Sequence, residues 1–363
     1  MSINEIIVFL MAVFMLLGAA DRVFGNRFGL GEKFEEGILA MGSLSMAMLG
    51  IISLAPVLAG LLRPVVVPVY SFFGADPAIF AGTILANDMG GAPLAMELAG
   101  SREAGEFGGL IVGAMMGSTL VFTLPVALGI IRKEDHPALA RGVLAGIVTI
   151  PLGSFVGGLV AGFEVGMVVR NLIPIVLIAL LIALGLWKIP DGMVKGFMAF
   201  GKGVVILITV GLAAAIWEEL TGIVLIPGLA PLSEGFETVG AVAIVLAGAF
   251  PLVYVITKVF QKPLLKLGHL LGMNDVAAAG MVATLANDIP MFGMLKDMDE
   301  RGKIINVAFA VPAAFVFGDH LGFTAGFNAG MIFPMVVGKL AGGVAAVAVA
   351  MVLTRGRKRE KEG

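Results

Sequence analysis

Apolar residues fill long stretches of this chain, and polar residues are confined to short separators. Runs such as Ile175 to Leu186 and Val204 to Ile216 carry no charge. With their flanks they approach the roughly 20 residues that a bilayer-spanning helix needs. They lack the strict alternation of a barrel strand, and lipid demands internally satisfied backbones, so the pattern predicts helices. The spans fall at about 5–21, 38–62, 107–131, 142–163, 171–187, 203–218, 238–257, 305–326 and 330–352. Segments 65–100 and 264–297 break this rhythm with Gly, Pro and charge. They read as helical hairpins or broken helices entering from one side.

Composition agrees with that reading. Hydrophobic residues make up 59% of the chain and charged residues 14%, against roughly 45–50% and 25% in a soluble domain. The 51 glycines and 17 prolines lie largely inside apolar segments, as close helix packing and broken helices require. Cysteine is absent, which excludes disulfides, thiolate metal sites and cysteine nucleophiles. The first run, Ile6 to Leu17, precedes Gly18-Ala19-Ala20 like a signal peptide, but only Glu5 charges its n-region and the bases Arg22, Arg27 and Lys33 follow it. It is expected to stay as an uncleaved first helix.

The chain repeats itself. Leu85-Ala86-Asn87-Asp88 returns 200 positions later as Leu285-Ala286-Asn287-Asp288. In the same order, Phe34-Glu35 matches Phe236-Glu237, Arg63-Pro64 matches Lys262-Pro263, Ala81-Gly82 matches Ala279-Gly280, Arg102 matches Arg301 and Gly117 matches Gly318. Ala145-Gly146, Pro151 and Gly157-Gly158 then match Ala329-Gly330, Pro334 and Gly342-Gly343. With the N-terminus outside, all but four of the 24 Lys and Arg fall in cytoplasmic loops or the tail, the four being Arg63, Arg102, Arg170 and the intrahelical Lys339. Between Phe34 and Phe236 the chain then crosses an odd number of times. The expected fold is an all-α polytopic membrane protein of two inverted-topology repeats, 1–188 and 189–363, the second ending in a basic cytoplasmic tail. Inverted repeats imply alternating access, with substrate held near the midplane by broken helices.

An ionised Asp at a helix centre costs roughly 2.5–3.5 kcal/mol on insertion, so one kept there usually has a partner or a task. Asp88 and Asp288 each follow an Asn and sit where the helix is weakened, by Gly90-Gly91 and by Pro290. Carboxylate and freed carbonyls suit a cation, and Asn87 and Asn287 can bond a hydroxyl; capping of the break is the plainer role. Asp319 and His320, in Gly318-Asp319-His320-Leu321-Gly322, could relay a proton, although helix neighbours diverge; a polar helix kink is the alternative. Phe292 and Phe315 could face an ammonium group, or simply pack, as most of 24 phenylalanines must. Glu97 is expected to pair with Arg102, and His136 and His269 to be solvated. No His-Glu-x-x-His, Gly-x-Ser-x-Gly or P-loop occurs, so neither an enzyme nor an ATP-driven pump is indicated, and no cofactor or nucleic-acid partner.

Phe34-Glu35-Glu36-Gly37, Asp88-Met89-Gly90-Gly91, Gly146-Ile147-Val148-Thr149-Ile150-Pro151, the run from Ala278 to Asn287, and Gly318-Asp319-His320-Leu321-Gly322-Phe323 together resemble the ethanolamine permease family. These are inner-membrane transporters encoded with bacterial ethanolamine-utilisation genes. The resemblance, nearly end to end, implies an ethanolamine substrate and a bacterial inner membrane. It leaves open H⁺ or Na⁺ coupling, facilitated diffusion and a homo-oligomer. The rival reading is an ion-coupled carrier of another amine or an amino acid; an amino acid's carboxylate would want an intramembrane Arg, and none is found.

Overall fold

The computed structural model describes residues 2–354, so the basic tail expected at 355–363 lies outside the described residues. All regular structure among them is helical, and eight stretches are long and apolar enough to cross a membrane. The first half runs through α1 (Ile3–Val23), α2 (Leu30–Phe72), α3 (Ala78–Ile84), α4 (Gly91–Leu98) and α5 (Arg102–Glu106). From α5 the chain continues without a turn through π-helical Phe107–Gly117 and Thr119–Thr123 into α6 (Leu124–Ile130). Then come α7 (His136–Ile147), α8 (Ile150–Val160), α9 (Val165–Lys188) and α10 (Pro190–Thr221). The remainder is α11 (Leu232–Leu270), α12 (Asp275–Ala286), α13 (Asp288–Met294), α14 (Glu300–Ala313), α15 (Asp319–Asn328) and α16 (Ile332–Thr354).

Local chemistry sets several boundaries. Ser2 and Glu5 form a reciprocal capping box at α1, and Asn274 and Asp299 cap α12 and α14 by accepting from the N–H groups of Ala277 and Gly302. Asp21 accepts from the N–H groups of Phe28, Leu30 and Gly31. It thereby fixes the turn between α1 and α2.

Three expected spans are much longer than drawn: α10 has 32 residues where 203–218 is expected, and two others run on through prolines. The 43 residues of α2 continue through Pro56, Pro64 and Pro68, and the 39 of α11 through Pro251 and Pro263. At 1.5 Å per residue each is about 60 Å long, twice a bilayer's apolar thickness. The short helices beside them are the reverse. With 7 residues in α3 and 8 in α4, each reaches about 10–12 Å and stops part-way. Both tetrapeptides lie at such stops: Asn87–Met89 forms a single 3₁₀ turn between α3 and α4, and Asn287 is extended between α12 and α13. The expected span 305–326 is interrupted too, because the chain leaves the helix at Ala314 and Phe315 takes a positive φ of 63°.

Burial grades the helices by position. In the stretch from Arg102 to Ile130, 83% of the most apolar window is buried, against 11% in α1. The former is the central rod, enclosed by protein, and α1 is a peripheral helix. Around the rod, α11 packs on α2, α16 on α8, α14 on α7, and α3 and α4 on the π-helical segment. Glycine permits the closest of these approaches. A Cβ at Gly153 would stand 2.7 Å from the Gly338 carbonyl oxygen, and one at Gly338 2.9 Å from that of Gly153, so α8 and α16 meet backbone to backbone. The expected Glu97–Arg102 pair is not formed. Arg102 Nε donates to Glu106 Oε1 at 2.7 Å, one helical turn away, and Arg63 donates to the Glu97 carbonyl.

A Cβ at Gly82 would lie 1.8 Å from the Gly108 carbonyl oxygen, whereas one at Gly60 meets nothing within 4 Å. Gly82→Ala is therefore expected to destabilise the protein by about 1–3 kcal/mol through overpacking, and Gly60→Ala to be neutral or mildly stabilising. Thermal melting in detergent by size-exclusion recovery checks both; equal melting of the two variants would contradict the close α3–rod contact.

Candidate substrate site

The two breaks carrying Asn-Asp are wedged in place by matching glycines. A Cβ at Gly117 would lie 1.9 Å from the Leu85 carbonyl oxygen, and one at Gly318 2.0 Å from that of Ala286. Gly117 keeps the central rod continuous as a π-helix, while Gly318 ends a non-helical link between α14 and α15. That link satisfies backbone groups of the other break, for Phe315 N–H donates to Thr284 O (3.1 Å) and Phe317 N–H to Leu285 O (2.8 Å). π-Helical segments and broken helices of this kind recur at functional sites.

A cavity of about 190 Å³ opens at the first break. Asp88 and Met89 line it from the 3₁₀ turn, Ser118 and Phe122 from the rod, and Phe315, Asp319 and His320 from the link and α15. It shares the lining residues Ser43 and Asp319 with a neighbouring cavity of about 490 Å³, which Lys33, Glu36 and Asn287 also line. Phe122 and Phe315 stack edge to face with centroids 5.4 Å apart, and Phe315 leans on the His320 ring at 5.2 Å. Two carboxylates and two aromatic rings around so small a space favour a compact cation.

Behind His320 lies a charge that the sequence reading had only counted as intrahelical. Lys339, 1% exposed in α16, donates to the carbonyl of Ala114 in the π-helical rod and lies 3.0 Å from His320 Nδ1. An ammonium only donates, so His320 Nδ1 accepts and the ring proton sits on Nε2. That nitrogen faces Asp88 Oδ1 at 3.9 Å. The series Lys339, His320, Asp88 thus runs from a buried cation to a carboxylate in the cavity. The signal for Lys339 was present: a lone Lys in an apolar span is a functional hypothesis by default.

The other expected residues divide. Asp319 and His320 diverge as helix neighbours should, yet both reach the cavity at the first break, because Asp319 opens α15 and also lines the neighbouring cavity. Asp288 is fully buried and accepts a 2.9 Å bond from Thr123 Oγ1 on the rod, while its Oδ1 has no partner. Asn287 caps α13 by accepting from Ile289 N–H. Asn87 is fully buried with neither amide atom bonded. Phe292 is core, 2% exposed, and lines a separate cavity with Ile130 and Asp135. His269 pairs with Asp275 at 3.0 Å on the surface, and His136 begins α7 half-buried. Among the described residues no cluster of His, Cys, Asp and Glu could hold a metal ion.

Comparison with known proteins places this chain in a family. The family model described as "Ethanolamine utilisation protein, EutH" matches residues 3–353. A Listeria monocytogenes protein named "Probable ethanolamine permease EutH" is 68% identical, covering 97% of this chain and 95% of its own. The protein of the same name from Escherichia coli is 52% identical, covering 97% and 96%, and "Uncharacterized protein YxeR" of Bacillus subtilis is 52% identical, covering 100% and 98%. No solved structure matches the chain. The chain belongs to the EutH family of ethanolamine utilisation proteins.

Removing one partner of a buried charge set leaves the others uncompensated, so Lys339→Met is expected to cost about 3–5 kcal/mol. Adding Asp88→Asn should restore part of that loss, because the two deleted charges oppose one another. Melting of both single variants and the double variant in detergent gives the cycle; strictly additive losses would mean that Lys339 and Asp88 do not act on each other.

Proposed function

We propose that this EutH family member carries ethanolamine, as its ammonium form, across the bacterial inner membrane through the cavity at Asp88. The observation that carries the reading is the pairing of a carboxylate-lined, aromatic-walled cavity with relatives named as probable ethanolamine permeases. The Asp88 carboxylate receives the ammonium group, with Asp319 adding negative field and Phe315 a π-face. The Asn87 amide, buried without a partner beside Asp88, supplies donor and acceptor for the hydroxyl as the break adjusts around substrate.

Transport in this reading is by alternating access between inverted halves, 1–188 and 189–363, with the N-terminus outside. The cavity lined by Lys33 and Glu36 then opens to the cytoplasm. Thr123 follows Gly117 by six residues, and Thr324 follows Gly318 by six. Thr123 now holds Asp288, whereas Thr324 is fully buried with its hydroxyl unbonded and Asp88 faces the cavity. In the opposite state the roles exchange: Thr324 closes on Asp88 and Thr123 releases Asp288.

Asp88→Asn is expected to reduce uptake of labelled ethanolamine into proteoliposomes by 100-fold or more, on the order of 3 kcal/mol for a lost charged contact, with folding unchanged by size exclusion. Normal uptake by this variant would remove Asp88 from the site. In the wild type, saturable uptake competed by ethanolamine but not by serine supports the substrate, and imposed H⁺ and Na⁺ gradients separate coupled from uncoupled transport.

The chain has no cysteine, so Ser43→Cys places one thiol in the wall that the two cavities share. Thr123→Val should slow its labelling by a polar maleimide from the cytoplasmic side, and Thr324→Val should speed it, each by about five- to tenfold for the loss of about 1 kcal/mol of state-specific bonding. Shifts in the same direction would refute the exchange.

A further inference from the structure

At one end of the bundle α6, α7, α9 and α10 enclose a cavity of about 840 Å³ that has no part in the path to Asp88. Its walls are apolar, with Leu128 from α6, Leu144 from α7, Leu186 from α9 and Phe197 from α10. Its rim is cationic. Lys133, Arg141 and Lys195 line it and are exposed, and Asp191 is the one acid among its lining residues. None of the three cations makes an ion pair among the described residues. Trp187 also lines the cavity at 67% exposure, with Lys188 Nζ 4.2 Å from its ring centroid. An exposed Trp beside basic residues at the end of an apolar helix marks the level of lipid headgroups.

Unpaired cations over an apolar cleft at that level match a ligand with a phosphate at one end and hydrocarbon at the other. A soluble phosphate would leave the apolar walls unused, and a zwitterionic lipid would gain little from three cations. We propose that this cleft is a binding site for an anionic phospholipid, its phosphate held by Lys133, Arg141 and Lys195 and its acyl chain laid between α6, α7 and α10. Basic clefts between membrane helices recognise anionic headgroups in this way. Neither the transport reading nor the direction of the helices enters this inference.

The chain has 2 tryptophans, so Trp217→Phe leaves Trp187 as the sole reporter. The protein is reconstituted in phosphatidylcholine nanodiscs containing, at equal mole fraction, brominated phosphatidylglycerol or brominated phosphatidylcholine. The expected result is at least about twofold stronger quenching of Trp187 by the anionic lipid, given the attraction that each basic residue adds. Combining Lys133→Gln, Arg141→Gln and Lys195→Gln should bring the two lipids level without changing the elution profile. Excess glycerophosphate in solution should leave the wild-type preference intact. Equal quenching in the wild type, or a preference that survives the triple substitution, overturns the site. Displacement by glycerophosphate overturns the lipid and leaves a phosphate site.

Discussion

A peptide group released from a helix inside a membrane has no water to bond, and its partner must come from the protein. That constraint organises this molecule. The break at Ala286–Asp288 is stitched to the link between α14 and α15 by Phe315 and Phe317, which donate to Thr284 and Leu285. At the other break, Met89 and Gly91 donate back to Ala86, closing the turn locally. Because these bonds are made, Asn-Asp pairs can be held part-way through the bundle. Because Gly117 and Gly318 lack side chains, the carbonyls beside those pairs can be approached by a neighbouring segment. Cavity, carboxylates and aromatic wall all depend on those two stops.

Charge imposes the second condition. An ammonium taken out of water is costly unless bonded and compensated. Lys339 finds an acceptor in Ala114 and another in His320, whose far nitrogen faces Asp88. The resulting set brings one lysine together with the carboxyl groups of Asp88, Asp288 and Asp319. Among the described residues that line the cavity at the first break, Asp88 and Asp319 are acids and none is Lys or Arg.

How much of this was legible in the sequence follows from the range of the forces involved. The helices and the two stops were readable because hydropathy and Gly/Pro placement are local signals. The lengths of α2 and α11 were misjudged because Arg63-Pro64 and Lys262-Pro263 look like ends, and only packing against neighbours carries the helix past them. The link at 314–318 was hidden inside an apolar run, Phe309 to Phe317, whose hydropathy is indifferent to whether it is helical. Among the candidate residues, Asp88, Asp319 and His320 stood out because charge in an apolar segment is conspicuous, while only tertiary structure shows that Phe315 lines their cavity and Phe292 does not. The π-helical form of 107–123 left no trace in composition, and with it Thr123 went unnoticed as the partner of Asp288.

The π-helical rod also joins the two acids physically. Ser118 and Phe122 lie four apart and face the cavity of Asp88. Thr119 and Thr123, also four apart, face the other way: Thr119 Oγ1 donates to Val311 O and Thr123 Oγ1 to Asp288. Two adjacent stripes of one helix therefore contact the two tetrapeptides. Neither acid is an isolated site, since a rotation of the rod that widens the space at Ser118 and Phe122 also alters the reach of Thr123. The rod thus bonds or borders both tetrapeptides, and its four glycines and lack of charge between Phe107 and Thr123 suit it to one of the most deeply buried places in the chain.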